Sequence, residues 1–494
     1  MKLSELIKSI DTIKTIGNVD IDITGICYDS RKIKLGNIFI AVPGYVNDGS
    51  FFIPRAVKDG AAAAVFEKDS KESYNATRIL VKDARIAMAE LSNKFYDYPS
   101  RKIKFIGVTG TNGKTTTTFI IESILSRAGN KVGLIGTVGA HIAKKLINPT
   151  LTTPESADLQ RILADMVGKG CRHVVAEVSS HSIALERIKG CEFDVAVYTN
   201  ITHDHLDFHK NMENYLKTKL RLFEDLGSYS KKSVWAVINR DDNYADIFIK
   251  NSNSRTVTYG LKSNSDFFPK NLKSDISSMN FQISNGLHKF KVKTKLIGVY
   301  NVYNILAAAS ACSVLGVSEK NIIDGIEEME TVPGRLERIV CGQKFNVFVD
   351  FAHSPDGLEQ LLDTLRKLTK KRLILLFGCT GNRDRLKRPL MGEIAAYKSN
   401  FAIITTDDPH SEDPETIIDE VEVGVKRGGW KIGKNYLKIT DRKDAIKKVL
   451  DIAGAGDCVV LAGRGHETYQ DFNGKKVEID DRCFAKSILG GGCK

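Results

Sequence analysis

The chain has 494 residues, 42% of them hydrophobic and 27% charged, with a formal net charge of +12. That length exceeds what one core can organise and implies on the order of two to four domains of ordinary globular composition. No apolar run approaches a membrane span, MKLSELIKSIDTIK carries charge too early for a secretory leader, and the nine cysteines include no CxxC pair, so a spanning protein, a disulfide scaffold and a zinc ribbon are not expected.

The cysteines read as reduced, mostly buried thiols of a cytoplasmic protein. Lysines and arginines are spread along the chain and form no block, so a small phosphorylated substrate accounts for the positive balance at least as well as nucleic acid. Residues 1 to about 99 read as a small α/β unit with short strands at Ile38–Val42 and Ala61–Phe66. Asp29-Ser30-Arg31 forms a polar turn, and residues 44–49 (GYVNDG) form a loop. Such a turn can hydrogen-bond a uracil edge or a phosphate, but residue chemistry alone favours a capped turn with a surface ion pair.

Residues 105–118 read FIGVTGTNGKTTTT. The apolar run Ile103–Val108 predicts a buried strand, a glycine turn follows, and Phe119–Arg127 is amphipathic. Strand, glycine turn and helix in that order form a phosphate cradle. Gly110 and Gly113 free backbone N–H groups around Thr111 and Asn112, Lys114 adds a full charge, and Thr115 and Thr116 add hydroxyls, Thr115 being the one placed for Mg²⁺. The strict P-loop pattern fails at one position, where Val108 replaces a glycine.

From about 100 to 330, strand and helix patterns alternate, which predicts a mostly parallel sheet with helices on both faces. After the strand Val132–Ile135, the loop Leu151-Thr152-Thr153-Pro154 is kept from helix by its proline. The strand His173–Val178 delivers Glu177 to its carboxyl end, where a Mg²⁺ ligand facing a P-loop belongs; the competing reading is a helix cap. The strand Phe193–Thr199 opens onto His203-Asp204-His205-Leu206-Asp207-Phe208-His209, whose spacing has no helical register for zinc. His205 alone, meeting Mg²⁺ beside Glu177, is the more modest expectation. Lys219 lies on the helical stretch Glu213–Leu226 and by itself reads as a snorkelling surface lysine.

Residues 262–295 are polar and read as exposed β-hairpins without chemistry. Asn301 and Asn304 sit in the helix that opens at Gly298, where either could meet a purine edge or both are simply polar residues of a first helical turn. Val332-Pro333-Gly334-Arg335 punctuates the chain, giving units of 1–99, 100–332 and 333–494. In the last unit Phe345–Phe351 ends in Asp350, and three further strands end at loops holding Arg383, at Asp407-Asp408-Pro409-His410, and at Gly463 to Glu467. Charges of both signs on one sheet rim suit a zwitterionic ligand, although surface ion pairs fit the same residues. No GxGxxG marks a nicotinamide cofactor.

TGTNGKTT (109–116), LTTPES (151–156), EVSSHSI (177–183), TNITHDHLDFH (199–209), YLKTKLRLF (215–223), PGRLERI (333–339), DFAHSPDGL (350–358), DDPHSEDP (407–414) and GRGHETYQ (463–470) resemble the Mur ligases, most closely those that add a diamino acid. The resemblance implies three α/β domains: a small uridine-nucleotide domain, a central P-loop sheet and a Rossmann-like C-terminal domain. It implies that Ser30 serves the uridine nucleotide and that Thr152, Thr153, Ser179 and Arg187 grip a UDP-MurNAc-dipeptide. Lys219 matches a carbamylated lysine that, with Thr115, Glu177 and His205, holds Mg²⁺. Asn301, Asn304, Arg335 and Asp350 match the adenine and ribose side of an ATP site. Arg383, Asp407, Asp408, Pro409, His410, Gly463 and Glu467 match the positions that receive the amino acid.

The implied reaction is acyl-phosphate formation at a D-Glu γ-carboxylate, followed by amine attack. A cytoplasmic monomer acting on small molecules is expected, without nucleic-acid or membrane partners. One departure stands out: family members specific for meso-diaminopimelate usually carry Asp-Asn-Pro-Arg, whereas this chain has Asp407-Asp408-Pro409-His410. His410 lacks the arginine fork, so L-lysine remains the alternative to diaminopimelate. A related ligase with another acceptor, such as a folylpolyglutamate-type enzyme, and a nucleic-acid-binding P-loop ATPase are the other readings.

Overall fold

The computed structural model describes residues 1–44, 48–68, 75–143, 145–148, 151–286 and 288–492. Part of the 44–49 loop and the end of the C-terminal tail lie outside the described residues. Three α/β units follow one another along the chain. The first sheet has five strands in the order Thr12–Ile16, Thr77–Val81, Ala63–Phe66, Asn37–Ile40, Gly25–Cys27, antiparallel at the first pair and parallel beyond it. Side chains alternate across a strand, so Ile38, Ile40, Ala63 and Val65 pack with Met88 and Leu91 of the helix Ala84–Phe95. Their neighbours Phe39, Ala64 and Phe66 pack on the opposite face with Ile53 and Ala56. The Asp29-Ser30-Arg31 turn is a short 3-10 helix, Ser30–Lys32, capped by Asp29.

The second sheet has eight strands, ordered Arg255–Tyr259, Trp235–Asn239, Val195–Tyr198, Lys104–Thr109, His173–Glu177, Val132–Gly136, Gly139–Ile142 and Lys145–Asn148. The first six are parallel and the last two antiparallel. Strand Lys104–Thr109 is flanked by two later strands, which makes it the switch point where a crevice opens at the carboxyl ends. The helix after the glycine turn begins at Lys114 and runs to Arg127, earlier than apolar periodicity predicts. Thr115 to Thr118 are buried in its first turns, and hydroxyls carry no apolar signal. Residues 268–294 form a separate antiparallel sheet of Phe268–Ser274, Met279–Ser284 and Lys289–Thr294, with Phe281, Ile283, Phe290 and Val292 packed inward.

The third sheet runs Glu337–Ile339, Asn346–Asp350, Cys458–Ala462, Leu373–Phe377, Phe401–Ile404, Tyr436–Lys438, parallel except at the first pair. Beneath its rim Arg442 and Asp481, both fully buried, are joined at 2.6 Å, and Arg442 also donates to the carbonyls of Thr406 (3.2 Å) and Ala462 (3.1 Å). Arg442→Met leaves the Asp481 carboxylate without its partner and is expected to cost about 3–5 kcal/mol in denaturant unfolding. A loss below about 1 kcal/mol contradicts that expectation.

At the junction of the second and third units Gly334 has φ +64°, and a Cβ there would overlap the backbone of Gly465 and His466. Val332 and Leu336 are buried in an apolar cluster that runs from Ile106 and Ile120 to Phe348 and Leu358, so the two units share one core. Among the described residues no helix is long and apolar enough to cross a membrane. Cys171, Cys191, Cys312, Cys379 and Cys458 are buried free thiols.

Candidate active site

The crevice at the switch point holds a cavity of about 900 Å³, lined by the glycine turn and by residues of the third unit. Lys114 Nζ donates to the carbonyls of Gly110 and Thr111, each at 2.8 Å. Lys219 Nζ donates to the same Gly110 carbonyl at 3.0 Å and stands 4.8 Å from the centre of the Tyr215 ring. Lys219 is 1% exposed, not a snorkelling surface residue. Burial first, then the Lys114 charge, push its ammonium well below the usual lysine range, with Asp204 opposing. Gly110, at φ +149°, has Thr199 Oγ1 where a Cβ would sit, so the close approach requires glycine.

Glu177, 1% exposed, accepts from Thr115 Oγ1 (3.1 Å), the Thr137 amide (2.8 Å) and Thr137 Oγ1 (3.1 Å). The cap of the following helix is Ser179, not Glu177. His205 lies at the cavity wall with φ +54°, its ring 4.8 Å from that of His181 and its side chain 44% exposed to the open crevice, and partial desolvation there lowers its pKa against the pull of Asp204. Asn304 Oδ1 accepts from Thr117 Oγ1 (3.3 Å) and Asn304 Nδ2 donates to Asn301 Oδ1 (3.0 Å). Arg335 crosses from the third unit to donate to Thr115 Oγ1 at 3.1 Å and stacks over Phe351 at 4.5 Å. Asp350 accepts the amides of Leu336 (2.6 Å) and Ala352 (2.8 Å).

The threonine loop joins the same centre. Thr153 Oγ1 donates to the Glu177 carbonyl at 2.7 Å and accepts the Ser179 amide at 3.1 Å. Arg187 donates to the Thr153 carbonyl at 3.1 Å and pairs with Glu155 at 2.8 Å, while Thr152 and Ser179 line the cavity. Ser30 is not brought to the cavity. Its neighbour Tyr28 instead bonds Asp158 at 2.6 Å, tying the first unit to the helix Ser156–Gly168 that follows the threonine loop.

On the third sheet's rim, carboxylate oxygens of Asp407, Asp408 and Glu467 lie within 4.8 Å of one another. Arg464, fully buried, reaches all three: Asp408 at 2.7 Å, Asp407 at 3.4 Å and Glu467 at 3.5 Å. Asp407 Oδ2 has no hydrogen-bond partner although the residue is buried, and a Cβ on Gly463 (φ +110°) would press on it. Burial and then Asp407 raise the Glu467 carboxyl to about 8, with Arg464 opposing. His410, at φ +50°, is bracketed by backbone bonds to Asp471 (3.0 Å) and Asn473 (2.7 Å), and its Nδ1 is 3.6 Å from Asp471 Oδ2. The Pro409 carbonyl lies where a Cβ on Gly381 would be. Arg383 is exposed on the neighbouring loop, close enough for its charge to act on His181.

The Mur ligase middle domain matches residues 108–312, the Mur ligase glutamate ligase domain 334–465, and the Mur ligase family catalytic domain 22–96. A protein of Caldanaerobacter subterraneus subsp. tengcongensis named UDP-N-acetylmuramoyl-L-alanyl-D-glutamate--2,6-diaminopimelate ligase is 43% identical over 99% of both chains. The chain belongs to the Mur ligase family. A Clostridium tetani protein of the same name is likewise 43% identical over 99% of both chains. A solved structure of that name superposes with TM-score 0.70 at 33% identity, covering 99% of each chain. The MurF ligase of Thermotoga maritima in complex with ADP shares the fold, with TM-score 0.63 at 21% identity over 90% of this chain and 94% of that one.

Several groups of this Mur ligase site carry no local sequence signal. Thr137 bonds Glu177 from a strand end that nothing in its neighbours marks. Asp356 accepts from Asn112 (2.9 Å) and Thr202 (3.2 Å), a link from the third unit to the cradle. Arg464 gathers the carboxylates of its rim from as far as 57 residues away, which nothing in the glycines beside it marks.

Proposed function

We propose that this Mur ligase joins an amine of meso-2,6-diaminopimelate to the γ-carboxylate of the D-Glu in UDP-N-acetylmuramoyl-L-alanyl-D-glutamate, with ATP converted to ADP and phosphate, as a step of peptidoglycan precursor synthesis. The observation that carries it is the meeting of Lys114 and Lys219 on one carbonyl, in a cavity walled by both the central and the C-terminal units. The names and near-complete coverage of the relatives support the acceptor and the amino acid. The unit boundaries 1–99, 100–332 and 333–494 fit the three sheets. A cytoplasmic monomer working on small molecules completes the reading.

In this reading the backbone of Gly110 to Gly113 and the side chains of Lys114, Thr115 and Thr116 receive the triphosphate. Asn301, Asn304, Arg335 and Asp350 hold the nucleoside side. The buried Thr115 hydroxyl and Glu177 carboxylate, with the His205 imidazole on the cavity wall, fit a cation such as Mg²⁺. A neutral Lys219 amine fits CO₂ addition, which turns it into a further carboxylate-like ligand. Bound Mg²⁺ would supply charge neutralisation on the phosphates. Lys114, once it leaves the Gly110 and Thr111 carbonyls for the phosphates, stabilises charge on the oxygens of the transferring phosphoryl group. Thr152, Thr153, Ser179 and Arg187 keep the acceptor carboxylate in line, and Ser30 anchors its uridine end. Asp407, Asp408, Pro409, His410, Gly463, Glu467 and Arg383 present the amine, which expels phosphate from the acyl phosphate. The shared core holds the two units close enough to exclude water from that intermediate.

The test is amino-acid-dependent phosphate release with the uridine-linked dipeptide, comparing diaminopimelate with L-lysine. We expect diaminopimelate to be preferred, and His410→Arg to raise that preference by about tenfold through a bidentate carboxylate contact worth roughly 1.4 kcal/mol more. Preference for lysine overturns the assignment of the amino acid, and no ADP with either overturns the reaction.

Glu467 adds a pH signature. Its carboxyl stays protonated up to about 8, so at pH 7 the free site holds a proton that an arriving ammonium displaces. Diaminopimelate binding should therefore release a proton at pH 7, and affinity should climb towards pH 8 and level above it. Calorimetry in two buffers of different ionisation enthalpy measures the release, which Glu467→Gln should abolish. Equal release from that variant refutes the assignment.

A further inference from the structure

The antiparallel sheet of residues 268–294 has two faces of opposite character. Leu272, Ser274 and Met279 line the active-site cavity. The outer face is set by strand pairing: Lys270 faces Gln282, which faces Lys291, and Lys273 faces Asn280, which faces Lys293. Lys289 extends the row opposite Ser284. An irregularity between Lys270 and Lys273, with Asn271 at φ +55°, inserts one extra residue and turns both lysines to the same side. Lys270, Lys273, Lys289, Lys291 and Lys293 are all exposed, and among the described residues none has a carboxylate within ion-pair distance. Of the acids on or beside the sheet, Glu330 pairs with Lys295 and Glu319 faces His288, while Glu327 accepts the Lys293 amide and Asp275 accepts from Ser277 and Ser278, so these two keep their negative charge against the five lysines.

Strand geometry spaces these ammonium-bearing positions about 7 Å apart along a strand and about 10 Å across the sheet. Neighbours along a strand therefore lie within a Debye length of about 8–10 Å at physiological salt, and the whole row spans about 14 Å by 10 Å. The array is carried on one face of a three-stranded sheet and is lysine-only. It offers no guanidinium fork for base edges or bidentate phosphate recognition, no exposed aromatic for stacking single-stranded bases, and no helix to enter a groove. Diffuse negative charge that needs no bidentate or stacking contact, as an anionic headgroup layer offers, matches it better than a nucleic acid does.

We infer that this face docks the enzyme on an anionic lipid bilayer surface, touching headgroups without entering the hydrocarbon. The inference goes beyond the ligase chemistry and stands if the amino-acid assignment fails. Because the sheet's other face walls the cavity, the active site then opens close to the bilayer.

Sedimentation of the full chain with vesicles containing 30% phosphatidylglycerol in phosphatidylcholine tests it, with pure phosphatidylcholine vesicles and duplex and single-stranded DNA run in parallel. Binding to the anionic vesicles alone, falling with salt, is expected. Lys289→Gln/Lys291→Gln/Lys293→Gln should weaken it about a hundredfold, at about fivefold for each lysine near such a surface. The triple arginine replacement should keep it, and ADP production in solution should be unchanged in both, which shows that the fold is intact. No binding to anionic vesicles, binding that the glutamine variant leaves untouched, or binding to DNA in place of vesicles would each overturn the inference.

Discussion

Replacing Lys114 with alanine should lower kcat by about a thousandfold or more, with a smaller change in KM for the dipeptide. The ammonium is held by the Gly110 and Thr111 carbonyls at 2.8 Å, so it is already poised over the turn that receives phosphate. Burial lowers its pKa, with Glu177 and Asp204 opposing, and the arrival of a polyanion restores the reason to stay charged. The lost interaction belongs to the charge that moves onto phosphoryl oxygens, which is why the effect should fall on kcat. Lys114→Arg tests geometry against charge: the bulkier fork cannot sit on the two carbonyls, and recovery should be slight. Near wild-type turnover by Lys114→Ala refutes the role of the cradle.

Lys219→Ala is the second large effect, at about a hundredfold to a thousandfold in kcat. The amine is enclosed by Tyr215 and the Gly110 carbonyl, beside a second lysine, where an ammonium is poorly tolerated. A neutral amine is the form that adds CO₂, so ¹³C-bicarbonate should give a carbamate resonance in the wild type and none in the variant. Short carboxylates added to the variant should restore part of the rate by standing in for the missing oxygens. Full activity without a lysine at this position, or no carbamate signal in an active wild type, removes Lys219 from the ligand set.

How much of this was legible in the sequence depended on how local the signal was. The glycine turn with Lys114 and Thr115 is readable because strand, turn and helix are contiguous, and Glu177 follows from its place at a strand end. Lys219 is not readable from its surroundings, since a lysine on an apolar helix looks the same whether it snorkels or is sealed in. The resemblance to relatives supplied it, and its 1% exposure agrees. Thr137, Asp356 and Arg464 act through contacts spanning 40, 244 and 56 residues, which no window detects. The lysine face was missed for a different reason. Its members alternate with apolar residues on separate strands, and only the pairing register, with its extra residue near Asn271, puts them side by side.

The glycine at 334 has a practical consequence for dissecting the molecule. Its Cα is pressed against the backbone of the Gly465-His466 loop, and the apolar cluster passes straight through that joint. A fragment starting at residue 333 would leave Val332 behind and cut through the apolar cluster that continues across the joint. Truncations cut there should come out sticky, and reporter insertions are better placed among the exposed residues 262–264 of the central unit.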